Sequence, residues 1–275
     1  MYDLSAIYNP ITSQNPFVGN RYDPCSPLKP YIATFWGTED PMFDLEAEGD
    51  PLLVIPDTCV DIIFEMDYRT HRFSAHYSGM NDRPFMASTV VETTFYSCFA
   101  IRFYFWAIHL FADNHLRDSL NLHIDAEAYF HGWSGFFEEM MSRTRTLKER
   151  IPLAEKFLLA KLNLHKSDHN VLNAAYLILN SKGTTPIKEV CSYTAVSQRQ
   201  LERLFLHQIG LSVKKLSSLV RYQNVWQDVV YAREFDIQDA VTIYGFADQS
   251  HLLNEFKKYH SMTPNQAKKL AFHQR

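Results

Sequence analysis

Two stretches decide how this chain is read: Ser197-Gln-Arg-Gln-Leu-Glu-Arg-Leu-Phe-Leu-His-Gln208 and Asp248-Gln-Ser-His-Leu-Leu-Asn-Glu-Phe-Lys-Lys258. In the first, Leu201, Leu204 and Phe205 recur at the spacing of one helix face. Ser197 with Gln200 three residues on is a capping signature that fixes where that helix begins. Upstream, Pro186-Ile-Lys-Glu-Val-Cys-Ser-Tyr193 reads as a second helix, with proline in its first turn. Thr194-Ala195-Val196 is the turn between them, and Ile209-Gly210 closes the unit. The pattern predicts helix, short turn, helix, with Leu201, Leu204 and Phe205 buried against Ile187 and Val190. The opposite face, Gln198, Arg199, Glu202 and Arg203 with Gln200 beside them, carries donors and acceptors suited to base edges and phosphates in a major groove.

The second stretch repeats the logic. Asp236 to Tyr244 reads as a helix, Gly245-Phe246-Ala247 as a turn, and Asp248 as the cap of the helix that follows. Leu252 and Phe256 mark its buried face, which leaves Gln249, Ser250, Leu253, Asn254 and Lys257 toward a groove. Lys214, Lys215 and Lys258 are candidate phosphate contacts. One such unit occurs in any helical bundle; two of them in register point to DNA.

The segment Gly245-Phe246-x-Asp248-Gln249-Ser250-His251-Leu252-x-x-x-Phe256-Lys257, followed by Met262-Thr263-Pro264, resembles the second-motif signature of AraC-type regulators. Val196-Ser197 through Leu201, Arg203, Phe205 and Gly210 is similar to the first motif of that family, and Ser212 to Tyr222 to its connecting helix. The resemblance covers about residues 170 to 270. It implies two recognition helices, starting 51 residues apart at Ser197 and Asp248, that enter successive major grooves roughly 34 Å apart on one face of the duplex. Two positions depart from the family pattern: Asn254 stands where a basic residue is common, and Val213 where a proline is common. An asparagine can pair with adenine instead.

Charge divides the chain in the same place. The net charge is −4 overall, but residues 1–167 hold 14 Lys and Arg against 22 Asp and Glu, and residues 168–275 hold 13 against 9. The basic end is the one that reads as DNA-binding, where counter-ion release adds affinity. The first half reads as β-rich, with strands at Leu52–Ile55, Val60–Glu65, Thr89–Tyr96 and Phe99–Phe105 and turns at Pro56-Asp57, Asp67-Tyr68 and Gly79 to Asp82. From Ile108 the period shifts toward 3.6, through Ile108, Leu110 and Phe111, then Phe136, Phe137, Met140 and Met141, then Leu153, Phe157, Leu158 and Leu162. Asn163 to Asn170 is the linker candidate, and Ser181-Lys182-Gly183 reads as a helix C-cap. The expected architecture is an α+β N-terminal domain, residues 1–165, followed by an all-α domain, residues 168–275, with two helix-turn-helix motifs joined by a connecting helix.

Lys29-Pro30-Tyr31-Ile32 with Phe35-Trp36, Val54 to Phe64, and the Arg102-Phe103 strand resemble a sensor domain found upstream of some AraC-type modules. That resemblance implies a small-molecule effector, a homodimer contact, or both, without naming a ligand. The partners expected are double-stranded promoter DNA, an effector, a second copy and RNA polymerase.

Other function classes find little support. The N-terminus carries no basic-then-apolar secretory pattern, and the most apolar run, Phe99 to Ala112, is interrupted by Arg102 and His109, so a cytoplasmic protein without a membrane span is expected. Cys25, Cys59, Cys98 and Cys191 lack CxxC spacing and read as reduced core thiols. His71, His76, His109, His115, His123 and His131 show no dense metal-ligand spacing, and no metal or cofactor is expected. There is no GxSxG, no phosphate-cradling glycine loop and no HExxH, and 9 glycines in 275 residues leave few for such loops. The remaining enzymatic alternative is a DNA-binding module fused to a thiol-dependent repair or modification enzyme using Cys59 or Cys98. Asp57, Cys59 and Asp61 would share a strand face beside such a thiol, although a ligand pocket or a structural cluster suits the same residues.

Overall fold

The computed structural model describes residues 3–11, 21–38, 52–87 and 96–273. Among these the N-terminal region contributes the strands β1 (Arg21–Tyr22), β2 (Ile32–Gly37), β3 (Leu52–Val54), β4 (Cys59–Asp67), β5 (Arg72–Ser78), β6 (Phe85–Ala87), β7 (Tyr96–Tyr104) and β8 (His123–Asp125). Six of them form an antiparallel sheet in the order β1-β2-β7-β4-β5-β8, and β3 pairs with β6 in a separate ribbon.

Alternation along β4 gives this sheet a helix-covered face. Val60, Ile62, Phe64 and Met66 of β4 are buried in register with Phe103, Ile101, Phe99 and Ser97 of β7. Helix α1 (Trp133–Arg143) lays Phe137 flat on Phe64, ring centroids 3.8 Å apart, and Trp133 against Phe103. Helix α2 (Leu147–Lys161) adds Phe157, stacked on Phe136. Each fully buried side chain among these, such as Phe64 and Phe137, contributes about 1.5–3 kcal/mol. Arg150 of α2 is wholly buried, donating to Ser97 Oγ at 2.7 Å and Tyr68 Oη at 2.8 Å, which ties α2 to the end of β7. The β4–β5 turn closes where Asp67 accepts the amides of Arg69 and Thr70.

The C-terminal region is helical throughout: α3 (His169–Asn180), α4 (Ile187–Thr194), α5 (Gln198–Gln208), α6 (Val213–Tyr231), α7 (Ile237–Ile243), α8 (Gln249–His260) and α9 (Pro264–His273). The central α6, 19 residues and so roughly 28 Å long, runs through both helix-turn-helix units. It packs on α3 and α5 near its start and on α8 and α9 further along, with Tyr222 and Trp226 against Phe256 and His260. The connecting helix therefore extends well past the expected Tyr222.

One further sequence expectation needs correction. The segment from Ile108 does not form an α-helix: Ile108–Leu110 is a single 3-10 turn, because every side chain from Phe103 to Ala112 is buried and no polar face exists to set a period. The linker candidate, Asn163 to Asn170, is an ordered stretch. It forms a 3-10 turn at Leu164–Lys166, pinned by Asn163 N–H to Leu110 C=O, and then enters α3 at its cap, Asp168. Strands β4 and β7 match the expected runs closely, whereas the expected strand at 89–95 lies outside the described residues. Strands β1, β2, β5, β6 and β8 were not anticipated.

The two regions meet along α5 and α6. Leu116 N–H donates to the His207 carbonyl at 3.1 Å, and Lys215 Nζ pairs with Asp82 at 2.5 Å. Gln227 Nε2 donates to Asn9 C=O, and the fully buried Gln223 bonds to Ile11 and Pro56.

Candidate nucleic-acid interface

The first unit forms as its local signals require. Ala195 takes the left-handed conformation, φ +55°, to turn between α4 and α5, and Ser197 Oγ accepts the Gln200 amide at 3.3 Å. Val190, Leu201 and Phe205 are fully buried and Leu204 is half-buried, so Gln198, Arg199, Gln200 and Arg203 are exposed along one face of α5. Glu202 is placed differently: it is half-buried, and its Oε2 accepts the Val213 N–H at 3.2 Å. That amide exists only because residue 213 is not proline, so the departure noted in the sequence decides where the carboxylate goes.

The second unit repeats the construction. Gly245 at φ +63° ends the α7 segment, with Phe246 N–H bonded back to Val241 C=O, and Asp248 Oδ1 caps α8 through the His251 amide at 2.7 Å. Leu252 and Phe256 are buried, Leu253 is half-buried, and Gln249, Ser250, Asn254, Lys257 and Lys258 are exposed. The Gln249 amide already donates to Gln238 Oε1 on α7 at 2.6 Å, which orients it. Arg221 of α6 grips Glu255 of α8 with bonds of 2.7 to 3.1 Å and lies over the Phe246 ring, a half-buried pair that fixes α8 on α6. Sequence reading missed this clamp, because 34 residues separate its members.

Of the lysines expected at phosphates, Lys214 and Lys258 are exposed, while Lys215 is half-buried and engaged by Asp82 of the N-terminal region. Arg117 of that region, which sequence reading passed over, lines the same cleft as Arg199, Gln200 and Arg203.

In the N-terminal region, Asp57 and Asp61 converge on Arg102. Asp61 takes two bonds from the guanidinium, at 2.9 and 2.6 Å, and one from Trp36 Nε1 at 3.0 Å. Asp57 precedes β4 and so does not share a strand face with Cys59 and Asp61; it reaches the same guanidinium at 3.8 Å from a turn in which it accepts the Cys59 amide. Burial pushes Asp57 up to about 7, with Asp61 adding and Arg102 opposing. A lone arginine inside the apolar run Phe99–Phe105 was the sequence signal for this cluster. Burial also raises the Cys59 thiol well above its ordinary value and the Cys98 thiol to about 12, the opposite of what a thiolate nucleophile requires.

Residues 190–269 match a family described as a helix-turn-helix domain, and residues 20–125 match one described as a domain of unknown function. No curated protein matches the chain. Among solved structures, ToxT from Vibrio cholerae bound to (E)-4-(8-methylnaphthalen-1-yl)but-3-enoic acid is similar at 13% identity over 86% of this chain and 98% of that one, TM-score 0.42. A Chromobacterium violaceum transcriptional regulator, of the AraC-type DNA-binding domain-containing proteins, is similar at 21% identity over 37% of this chain and 91% of that one, TM-score 0.33. The xylose-binding transcription activator XylR is similar at 15% identity over 38% of this chain and only 27% of its own length, TM-score 0.34.

Proposed function

We propose that residues 190–269, which match a helix-turn-helix family, are the AraC-type DNA-binding domain of a transcription regulator, and that the protein reads promoter DNA in a sequence-specific manner with α5 and α8 as its two recognition helices. The observation that carries this reading is the pairing of two N-capped helices, each with an exposed polar face, on one buried rod, α6. Arg199 and Arg203 on α5, with Gln198 and Gln200, supply bidentate and single donors for purine edges; on α8, Gln249, Ser250 and Asn254 do so, with Leu253 as an apolar contact. Lys214, Lys257 and Lys258 add phosphate contacts and affinity without sequence preference. Glu202 and Lys215 act within the protein, at the start of α6.

The N-terminal region modulates this activity. Pro56 C=O is held by Gln223 of α6, and the next residue, Asp57, faces Arg102. A small molecule that competes for Arg102 would move the 56–57 turn and with it the central helix, shifting the population competent for DNA.

The test is selection of duplexes from a random pool by the full-length protein at two salt concentrations, repeated with Arg203→Ala and Asn254→Ala. Enrichment of one sequence class, with relaxed preference at different positions in the two variants, is expected. Retention of all duplexes alike, or of none at any salt, overturns the reading.

A further inference from the structure

The N-terminal region carries an arginine into the cleft of the first recognition helix. Arg117 lies on the loop between the 3-10 turn at Ile108–Leu110 and β8. It lines a cleft of about 630 Å³ together with Ser197, Arg199, Arg203 and His207 along α5.

This loop is docked, not adventitious. Leu116 is fully buried and donates its N–H to the His207 carbonyl at 3.1 Å, and the rings of His115 and His207 are in contact. Gly210, just past α5, sits at φ +81° with Ser119 Oγ and the Leu116 carbonyl so close that a Cβ would lie 2.2 and 2.7 Å from them. The loop and the end of α5 therefore approach as closely as backbone permits. Asp82, which pairs with Lys215, also exchanges two hydrogen bonds with Asn121 at the far end of the loop. Both ends of the Arg117 segment are thus anchored to the DNA-binding helices.

The charge in the cleft is net positive, three arginines against one carboxylate. Arg117, Arg199 and Arg203 are exposed, and the carboxylate lining the cleft, Glu202, is engaged by the Val213 amide. Asp118 stands 3.9 Å from the Arg117 guanidinium, but both side chains are largely in solvent, where such a pair holds weakly. A recognition helix presents its N-terminal residues to base edges, and the flanking backbone passes its other parts. Arg117 shares the cleft with Leu206 and His207, near the C-terminal end of α5, as well as with Ser197 and Arg199 near its start; the C-terminal end of such a helix is where contacts to the DNA backbone fall.

We propose that Arg117 is a phosphate-contacting residue supplied by the N-terminal region, extending the interface of the first helix-turn-helix unit onto the DNA backbone beside its groove. This rests on the DNA-binding reading above. The consequence is that part of the affinity for DNA depends on how the N-terminal region is seated on α5.

The experiment measures full-length wild type, Arg117→Ala and Arg117→Lys on a labelled duplex selected from the random pool and on an unrelated duplex, from about 50 to about 200 mM salt. Wild type is expected to lose about 3.5-fold more affinity than Arg117→Ala across that range, the factor one neutralised phosphate contributes over a fourfold salt change. The loss should be the same on both duplexes, and Arg117→Lys should retain the wild-type slope, since a phosphate asks only for a cation. An Arg117→Ala protein that binds with unchanged affinity and salt slope, or more tightly, overturns the proposal while leaving the two-helix reading intact. Wild type that binds neither duplex removes that reading itself.

Discussion

The carboxamide of Gln223 bonds to both backbone groups of Ile11, 212 residues away in sequence: Oε1 accepts the Ile11 N–H at 2.9 Å and Nε2 donates to the Ile11 C=O at 3.0 Å. The second Nε2 proton goes to Pro56 C=O at 2.8 Å. A side chain with two donors thus has both in use at a fully buried position.

Removing this amide leaves buried backbone groups without partners. Gln223→Ala should lower the stability of the full chain by about 2–4 kcal/mol, since each orphaned group costs about 1–3 kcal/mol and neighbouring groups relax partly. Urea unfolding checks this, and a loss below about 0.5 kcal/mol would falsify the proposed importance of the latch.

Glu202 and Arg203 are neighbours with separate tasks. Glu202→Ala exposes the need of the Val213 amide for a partner, and is expected to cost about 1 kcal/mol of stability while leaving the selected DNA sequence unchanged. Arg203→Ala should do the reverse, with stability within about 0.5 kcal/mol of wild type and discrimination at one base position reduced by about 1–3 kcal/mol. Thermal melts alongside pool selection separate the two; a changed consensus for Glu202→Ala would put its carboxylate in the groove after all.

Gly210→Ala meets two obstacles at once, a left-handed backbone and the contacts with Ser119 and Leu116. Destabilisation of about 1–3 kcal/mol or more is expected. Amide exchange should show early opening in the 115–121 segment. Exchange in that segment matching wild type, with stability retained, would mean the loop is not held at this point.

His260 is fully buried between Trp226, Phe256 and Tyr222, sharing a hydrogen bond with the Tyr222 hydroxyl, and burial pushes it down to about 3. The unfolded chain takes up this proton near pH 6.5 and the folded chain does so only near 3. The neutral ring's contribution is therefore complete above about pH 6.5 and lost progressively as pH falls toward 3. Asp57, raised by burial, acts oppositely over much of the same window, so the comparison must be between wild type and His260→Gln. The variant is expected to be less stable at pH 7 and to lose less on acidification; parallel melting curves for the two proteins from pH 7 to pH 4 would contradict this.

The helix-turn-helix units were legible because their determinants are local. Ser197, Asp236 and Asp248 sit at the caps that their side chains favour, and Gly245 at the turn that needs a positive φ. The sheet was legible only in part: β4 and β7 announce themselves by apolar runs, but their pairing with each other and with β2 is a matter of long-range register. Strand β5 hid behind its polar outer residues Ser74, His76 and Ser78, although Phe73, Ala75 and Tyr77 alternate beneath them. At the interface, the role of Glu202 could not be read from its own helix, since its partner is a backbone amide past the next turn. Arg117 escaped notice for a similar reason: it belongs to the acidic half of the chain and meets the basic half only after folding.

Because α6 is one uninterrupted helix packed into both units, α5 and α8 cannot adjust their separation independently. On the proposed reading the protein carries a fixed gauge, and its operator would have to be cut to it. Single base changes within either half of a site should cost about 1–3 kcal/mol each. Inserting one base pair between the halves, which turns them about 34–36° out of phase and displaces one by about 3.4 Å, should abolish simultaneous reading.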